Sequence, residues 1–205
     1  MVGKEAQVMK SKDTSGIKFG MWLFLYSEIM LFAGLFVLYA AYFRKYQADF
    51  FHAGKELDLF FGSANTLILL TSSFTVAASI TAIRRNRMKQ TRAFLFATIF
   101  LGGFFLINKY FEWGHKFKHG IYPNSERLVT GPPGENIFFG LYYVITGLHG
   151  IHIIFGLSLL SASVYLLHRK KIRTDDYVFL ENSGLYWHLV DLIWIFIFPL
   201  FYLVL

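Results

Sequence analysis

The chain closes on an apolar run at 185–205, LYWHLVDLIWIFIFPLFYLVL, which is long enough to cross a bilayer yet carries His188 and Asp191 inside it. Ionisable side chains at such depth are rare and face protein or water rather than lipid, because stripping their hydration costs a few kcal/mol or more. This segment must therefore pack against other helices, and the rest of the chain has to supply them.

It does so four times over. A spanning helix needs ~20 predominantly apolar residues, and stretches of that kind lie at about 19–43, 59–83, 93–113, 137–167 and 184–205. With 55% hydrophobic and only 16% charged residues, the composition lies outside the range of ordinary soluble domains. The expected fold is all-α: a polytopic membrane bundle of five transmembrane helices, with a polar cytoplasmic tail at 1–17 and a single transmembrane domain at 18–205. Any water-soluble partner has to dock on the short connections. The N-terminal segment lacks the order of a cleaved signal peptide, so the mature chain is expected to begin near Met1.

Lys and Arg set the orientation. Thirteen of the twenty fall in the tail (Lys4, Lys10, Lys12, Lys18), the second connection (Arg84, Arg85, Arg87, Lys89, Arg92) and the fourth (Arg169, Lys170, Lys171, Arg173). These belong on one side, which places the N-terminus in the cytoplasm and the C-terminus outside. The formal charge of +7 reads as this bias together with attraction to anionic headgroups, not as a nucleic-acid surface. Trp22 and Trp187 are expected at the cytoplasmic boundary and Trp113 at the outer one, whereas Trp194 lies deeper and needs a partner for its indole N–H. Gly34, Gly102, Gly103, Gly147, Gly150 and Gly156 are candidate points of close helix approach. Pro199 should bend the last helix near its end. The TGPPGEN turn at 130–136 leads into the fourth span, with Glu135 and Asn136 as capping residues.

Cysteine is absent, which excludes disulfides, iron–sulfur ligation and thiolate-bridged copper. Among the remaining polar groups, Glu28 is the sharpest. It lies about 15 Å into the first span by helical rise, where a carboxyl is expected to be neutral, hydrogen-bonded or facing a polar cleft unless a cation is near. His149 and His152, three apart on one side of the fourth span, suit helix-to-helix hydrogen bonding better than haem, since a same-helix pair cannot supply both axial ligands. Lys109, Glu112 and His115 recur at intervals of three, giving a polar stripe whose first two members suit an ion pair. Asn65 and Thr66 suit interhelical hydrogen bonds. No compact ligand set for zinc, phosphate-binding glycine loop, nucleophile elbow or HExxH motif is present. Intramembrane polarity without a complete active site points to a subunit embedded in a larger membrane complex.

Five segments in order carry a resemblance: WLFLYSEIMLFAGLF around Glu28, FGSANTLILLTSS around Asn65, LINKYFEWGHKFKHGIYP around Glu112, ITGLHGIHIIFG around His149 and His152, and LYWHLVDLIWIFIFPLFYL at the end. Together they resemble subunit III of the haem-copper respiratory oxidases, in its short five-helix bacterial form, from about Ile17 to Leu205. The resemblance implies a non-catalytic subunit of a terminal oxidase, cytochrome c oxidase foremost, packed directly on subunit I beside subunit II and a small subunit IV. It implies haem and copper in the partner subunits and none in this chain, bound phospholipid, and support of proton uptake and of the oxygen-reducing centre. In the family the helices form two groups around a lipid-filled V-shaped cleft; two N-terminal helices of the longer members have no counterpart here. Glu28 matches a buried carboxyl near subunit I. Asn65, Lys109, Glu112, His149, His152, His188 and Asp191 would form the structural polar network. The setting implied is the bacterial cytoplasmic (inner) membrane. Two other readings share parts of the pattern: a subunit III-like accessory protein of nitric oxide reductase and, from another class, a haem b-binding membrane anchor.

Overall fold

The computed structural model describes residues 2–204, with side chains from residue 15 onward. Seven helices follow one another: α1 (Val2–Lys45), α2 (Gln47–Gly54), α3 (Leu59–Arg84), α4 (Met88–Lys118), α5 (Glu126–Thr130), α6 (Pro133–His168) and α7 (Val178–Tyr202). Five are long and apolar enough to cross a membrane: α1 from Ser15, α3, α4, α6 and α7. The short α2 and α5 lie in the connections on one face of the bundle. The side chains of Lys4, Lys10 and Lys12, and the expectation about Met1, fall outside the described residues.

The five spans occur where the apolar runs predict them, with α4, α6 and α7 starting earlier than expected, at Met88, Pro133 and Val178, and α4 running on to Lys118. α4 begins at Met88, because the basic run at 84–92 spends only three residues on its turn. Asn86 takes φ 58°, the left-handed region that asparagine tolerates, and the helix resumes at once. α6 begins at Pro133, whose missing N–H costs nothing in a first turn. Its N-cap residue, Pro132, supplies no side-chain cap, and Asp49 Oδ2 of α2 accepts from the Gly134 N–H at 3.0 Å in its place. Glu135 turns instead to His52, with Oε1 2.6 Å from Nδ1, and Asn136 Oδ1 accepts from the Asn124 amide at 3.0 Å.

α3 and α4 form an antiparallel pair, α6 and α7 another, and α3–α7 and α4–α6 contacts close the four into a ring. α1 leans on the groove between α6 and α7 and is the least covered of the five spans; α7 is the most covered. Trp187 occupies the ring's interior. It is fully buried, not at a lipid boundary, and its Nε1 donates to Ser72 Oγ at 3.0 Å. Two glycines make room for it: a Cβ on Gly102 would lie 2.6 Å from the indole, and one on Gly156 2.8 Å. Gly34, Gly103 and Gly150 have nothing within 4 Å, so they are not close-approach points among the described residues. Trp22 is exposed. α7 carries Pro199 inside its last turns and continues to Tyr202, and the Tyr39 hydroxyl donates to the Leu200 carbonyl, which lacks an intrahelical partner so near the helix end.

This packing sets a contrast between glycines. Gly156→Val should force the indole out of place and destabilise the bundle by about 1–3 kcal/mol, whereas Gly150→Val should leave stability nearly unchanged. Thermal unfolding of the two variants in the same detergent measures the difference.

Candidate functional site

Three groups of polar side chains lie inside the spans. The first joins α1 to α6. Glu28 Oε2 lies 2.7 Å from His152 Nε2, with the two side chains 15% and 12% exposed. His152 Nδ1 lies 2.8 Å from the Leu148 carbonyl oxygen one turn earlier. A carbonyl only accepts, so Nδ1 carries a hydrogen, and the Nε2–Oε2 contact must share one further proton. Either a protonated carboxyl donates to Nε2 or an imidazolium donates to a carboxylate. The Phe32 ring stands edge-on to the imidazole at 5.2 Å and shields it. The pair can thus hold one proton in two places without changing its net charge.

The second group sits at the end of the bundle that carries α2 and α5. Lys109 Nζ donates to Glu112 Oε2 at 3.0 Å, to the Tyr142 hydroxyl at 3.0 Å and to the Tyr202 hydroxyl at 2.8 Å. Both tyrosines then donate to Glu112 Oε1, at 2.7 and 2.6 Å. All three ammonium hydrogens and both carboxylate oxygens are used, and α4, α6 and α7 are tied in one knot. A cavity of about 640 Å³ lined by Glu56, Asp58, Glu112 and Lys116 opens beside it. His115 is exposed and faces His119 at 4.3 Å between ring centroids, so the expected stripe divides after Glu112.

The third group runs along α3 and α7. Asn108 Nδ2 donates to Asn65 Oδ1 at 3.1 Å, and the deep Trp194 finds its partner in Thr66 Oγ1 at 3.0 Å. Ser73 Oγ lies 2.6 Å from His188 Nδ1. Asp191 is buried, and neither of its oxygens has a hydrogen-bond partner.

His149 and His152 do not act as a pair. A spacing of three turns the second side chain about 60° from the first around the helix, enough to direct His152 to α1 while His149 points inward. There the His149 ring stacks on Trp194 at 5.3 Å and meets Phe105 edge-on at 5.8 Å, with both nitrogens unpartnered. His152 has both nitrogens engaged, and aromatic rings fill the space around His149, so the haem-anchor reading gains no axial ligand here. Among the described residues no three His, Asp or Glu side chains are grouped to hold a metal ion. Tyr142, Tyr202 and Ser73 are members of these groups that sequence reasoning missed. A tyrosine in an apolar run carries no local mark; the one available signal was that a buried Lys109 needs more acceptors than Glu112 alone provides. Ion pairs of Glu181 with Lys18 (3.4 Å) and Arg84 (2.7 Å) were equally hidden, since they join α1, α3 and α7 across long sequence separations.

Residues 3–204 match the family model described as cytochrome c oxidase subunit III. The chain is 30% identical over 185 residues to a cytochrome c oxidase subunit 3 of Thermostichus vulcanus, covering 90% of this chain and 85% of the relative. It is 31% identical over 185 residues to a cytochrome bo(3) ubiquinol oxidase subunit 3 of Buchnera aphidicola subsp. Schizaphis graminum, covering 90% and 92%. A heme-copper oxidase subunit I+III of Aeropyrum pernix is 29% identical over 198 residues, covering 92% of this chain and 23% of that protein.

The closed Lys109 network makes a paired expectation. Lys109→Met should cost about 3–5 kcal/mol, because it strands a buried carboxylate, and the Lys109→Met/Glu112→Leu double variant should recover most of that loss. Chemical unfolding in detergent of the parent, the Lys109→Met and Glu112→Leu single variants and the double variant, compared as a double-mutant cycle, reads both.

Proposed function

This chain belongs to the cytochrome c oxidase subunit III family, and on that premise we propose how it serves its complex. It is a non-catalytic subunit III of a haem-copper oxidase, a multi-pass membrane protein associated with other oxidase subunits. Its proposed setting is the bacterial cytoplasmic membrane, with the N-terminus inside and the C-terminus outside. There it packs directly on subunit I, with subunit II and a small subunit IV completing the complex, haem and copper held by the partners, and phospholipid bound along its flank. Contact with subunit I is supported by the relative whose name joins subunits I and III in one polypeptide. Relatives named for cytochrome c and for ubiquinol match at nearly equal identity. Cytochrome c is the proposed donor, on the description of the matching family.

The observation that carries the role is the Glu28–His152 contact. α1 is the least covered span, and Phe19, Trp22, Leu23 and Val37 stand exposed along it. A mostly buried pair that can relocate one proton without a change of net charge therefore lies beneath a helix with free apolar surface. That suits a subunit that steadies proton uptake in its neighbour and prolongs the working life of the oxygen-reducing centre. Asn65, Lys109, Glu112 and His149 are buried, and their proposed part is to hold the bundle together.

Purification of the tagged chain in mild detergent should recover subunits I and II and the optical spectrum of a haem-copper oxidase; recovery of the chain alone with its own haem would overturn the assignment. In that complex, Glu28→Gln and His152→Leu should shorten the catalytic lifetime severalfold, and a Glu28→Gln enzyme with unchanged turnover, proton pumping and lifetime would remove the role given to the pair. Because the sequence has no cysteine, orientation can be read directly. An Asp175→Cys protein should react with an impermeant thiol reagent only from the cytoplasmic side, and a Lys118→Cys protein only from outside.

A further inference from the structure

Asp191 is the one buried carboxyl in the spans with neither oxygen hydrogen-bonded among the described residues. A polar group left so in a well-packed interior asks for a physical explanation. No cation comes near enough to pair with it. From α1, Glu28 is committed to His152 of α6 and Lys18 to Glu181. From α4, Lys109 and Glu112 satisfy each other. From α6, His149 is enclosed by the rings of Phe105 and Trp194. α3 offers hydroxyls, Ser72 and Ser73, and its terminal Arg84 is held by Glu181 in the first turn of α7. The Ser72 hydroxyl is already occupied, donating to the Leu69 carbonyl and accepting from Trp187.

The remaining neighbours form a route. A cavity of about 390 Å³ opens between α1, α3 and α7 beside Lys18, Arg84 and Glu181, and its lining includes His188. His188 Nδ1 lies 2.6 Å from Ser73 Oγ, and Asp191 follows His188 by three residues on α7, so it lies on the same side of that helix, toward Ser73 of α3. We propose that Asp191 is a proton-binding site, loaded from the N-terminal-side surface of the bundle through this cavity, the His188 imidazole and the Ser73 hydroxyl. The site lies wholly within this chain and does not rest on the identity of its partners.

The proton balance is simple. A proton from water in the cavity joins His188 Nε2, the Nδ1 proton passes to Ser73 Oγ, and the former Ser73 hydroxyl proton passes to a carboxylate oxygen of Asp191. The carboxylate becomes a carboxylic acid and His188 is left neutral as the other tautomer. The relay resets when the ring swings into the cavity that it lines, where Nε2 gives its proton to water and Nδ1 takes one from water. A serine hydroxyl suits the middle position because it can accept from one side and donate to the other. His188 suits the entrance because its two nitrogens face different partners.

Infrared spectroscopy of the full chain in lipid nanodiscs tests this. The parent protein should show a protonated-carboxyl carbonyl stretch that shifts in D2O. Asp191→Asn should remove that band, and Asp191→Glu should keep one at a changed position. Ser73→Ala and His188→Phe should keep the band but slow its D2O shift by at least about tenfold, as expected for removal of a hydrogen-bonded link. With the spectra read in a Glu28→Gln background, which removes any band of that intramembrane carboxyl, absence of the band in the parent, its survival in Asp191→Asn, or unchanged exchange in both relay variants would overturn the proposal. The relay variants keep Asp191 itself, so the test stands even if Asp191→Asn does not fold.

Discussion

Inside a membrane span the protein itself must satisfy its polar groups, since hydrocarbon offers no water to do so. The Lys109–Glu112–Tyr142–Tyr202 network is where this bundle meets that demand most fully. A lone ammonium or a lone carboxylate at that depth would be costly; four side chains from three helices remove the cost by using every donor and acceptor. The requirement for such complete geometry fixes the register of α4, α6 and α7 at one end of the bundle. Lower down, Trp194 with Thr66, Trp187 with Ser72, and Ser163 with Ser183 at 3.2 Å repeat the device with neutral groups. The helices are thus held by polar rungs spaced along an otherwise apolar interior.

Much of this architecture was legible in the sequence, and the boundary of legibility has a physical basis. Five spans follow from length and apolarity alone, because the bilayer imposes both. The need of Trp194 for a partner followed from its depth. The partner of Glu28 did not: nothing local distinguishes His152 from His149, and only the angular offset of three residues on α6, set against the position of α1, separates them. Trp187 was misplaced for a related reason. A tryptophan close to a helix end fits an interfacial belt equally well, and what draws it inside is room made by Gly102 and Gly156 on two other helices. Contacts between distant segments leave no trace in periodicity, so the members of each cluster could be named more readily than their partners.

α1 stands apart from the ring in kind as well as in place. Where α3, α4, α6 and α7 share continuous surfaces, α1 is joined at separate points: Lys18 to Glu181, Phe24 stacked on Tyr186 at 5.9 Å, Glu28 to His152, and Tyr39 to the Leu200 carbonyl. Point attachments fix a helix in position while burying little of its surface. Much of the apolar area on α1 therefore remains free for whatever surrounds it, lipid or protein, and the internal carboxyl on this helix is reached through the least covered part of the molecule.

The seat of Trp187 also has a bearing on how this chain can change over generations. Gly102, Gly156 and the indole form a lock of three parts, in which a larger residue at either glycine meets the ring and a smaller residue at 187 leaves a hole that lipid tails cannot reach. Each single step away from the present arrangement is penalised, while a matched pair of steps need not be. Drift at these positions should therefore proceed by compensated exchanges, with the three sites recording one another's history though they lie on three different helices.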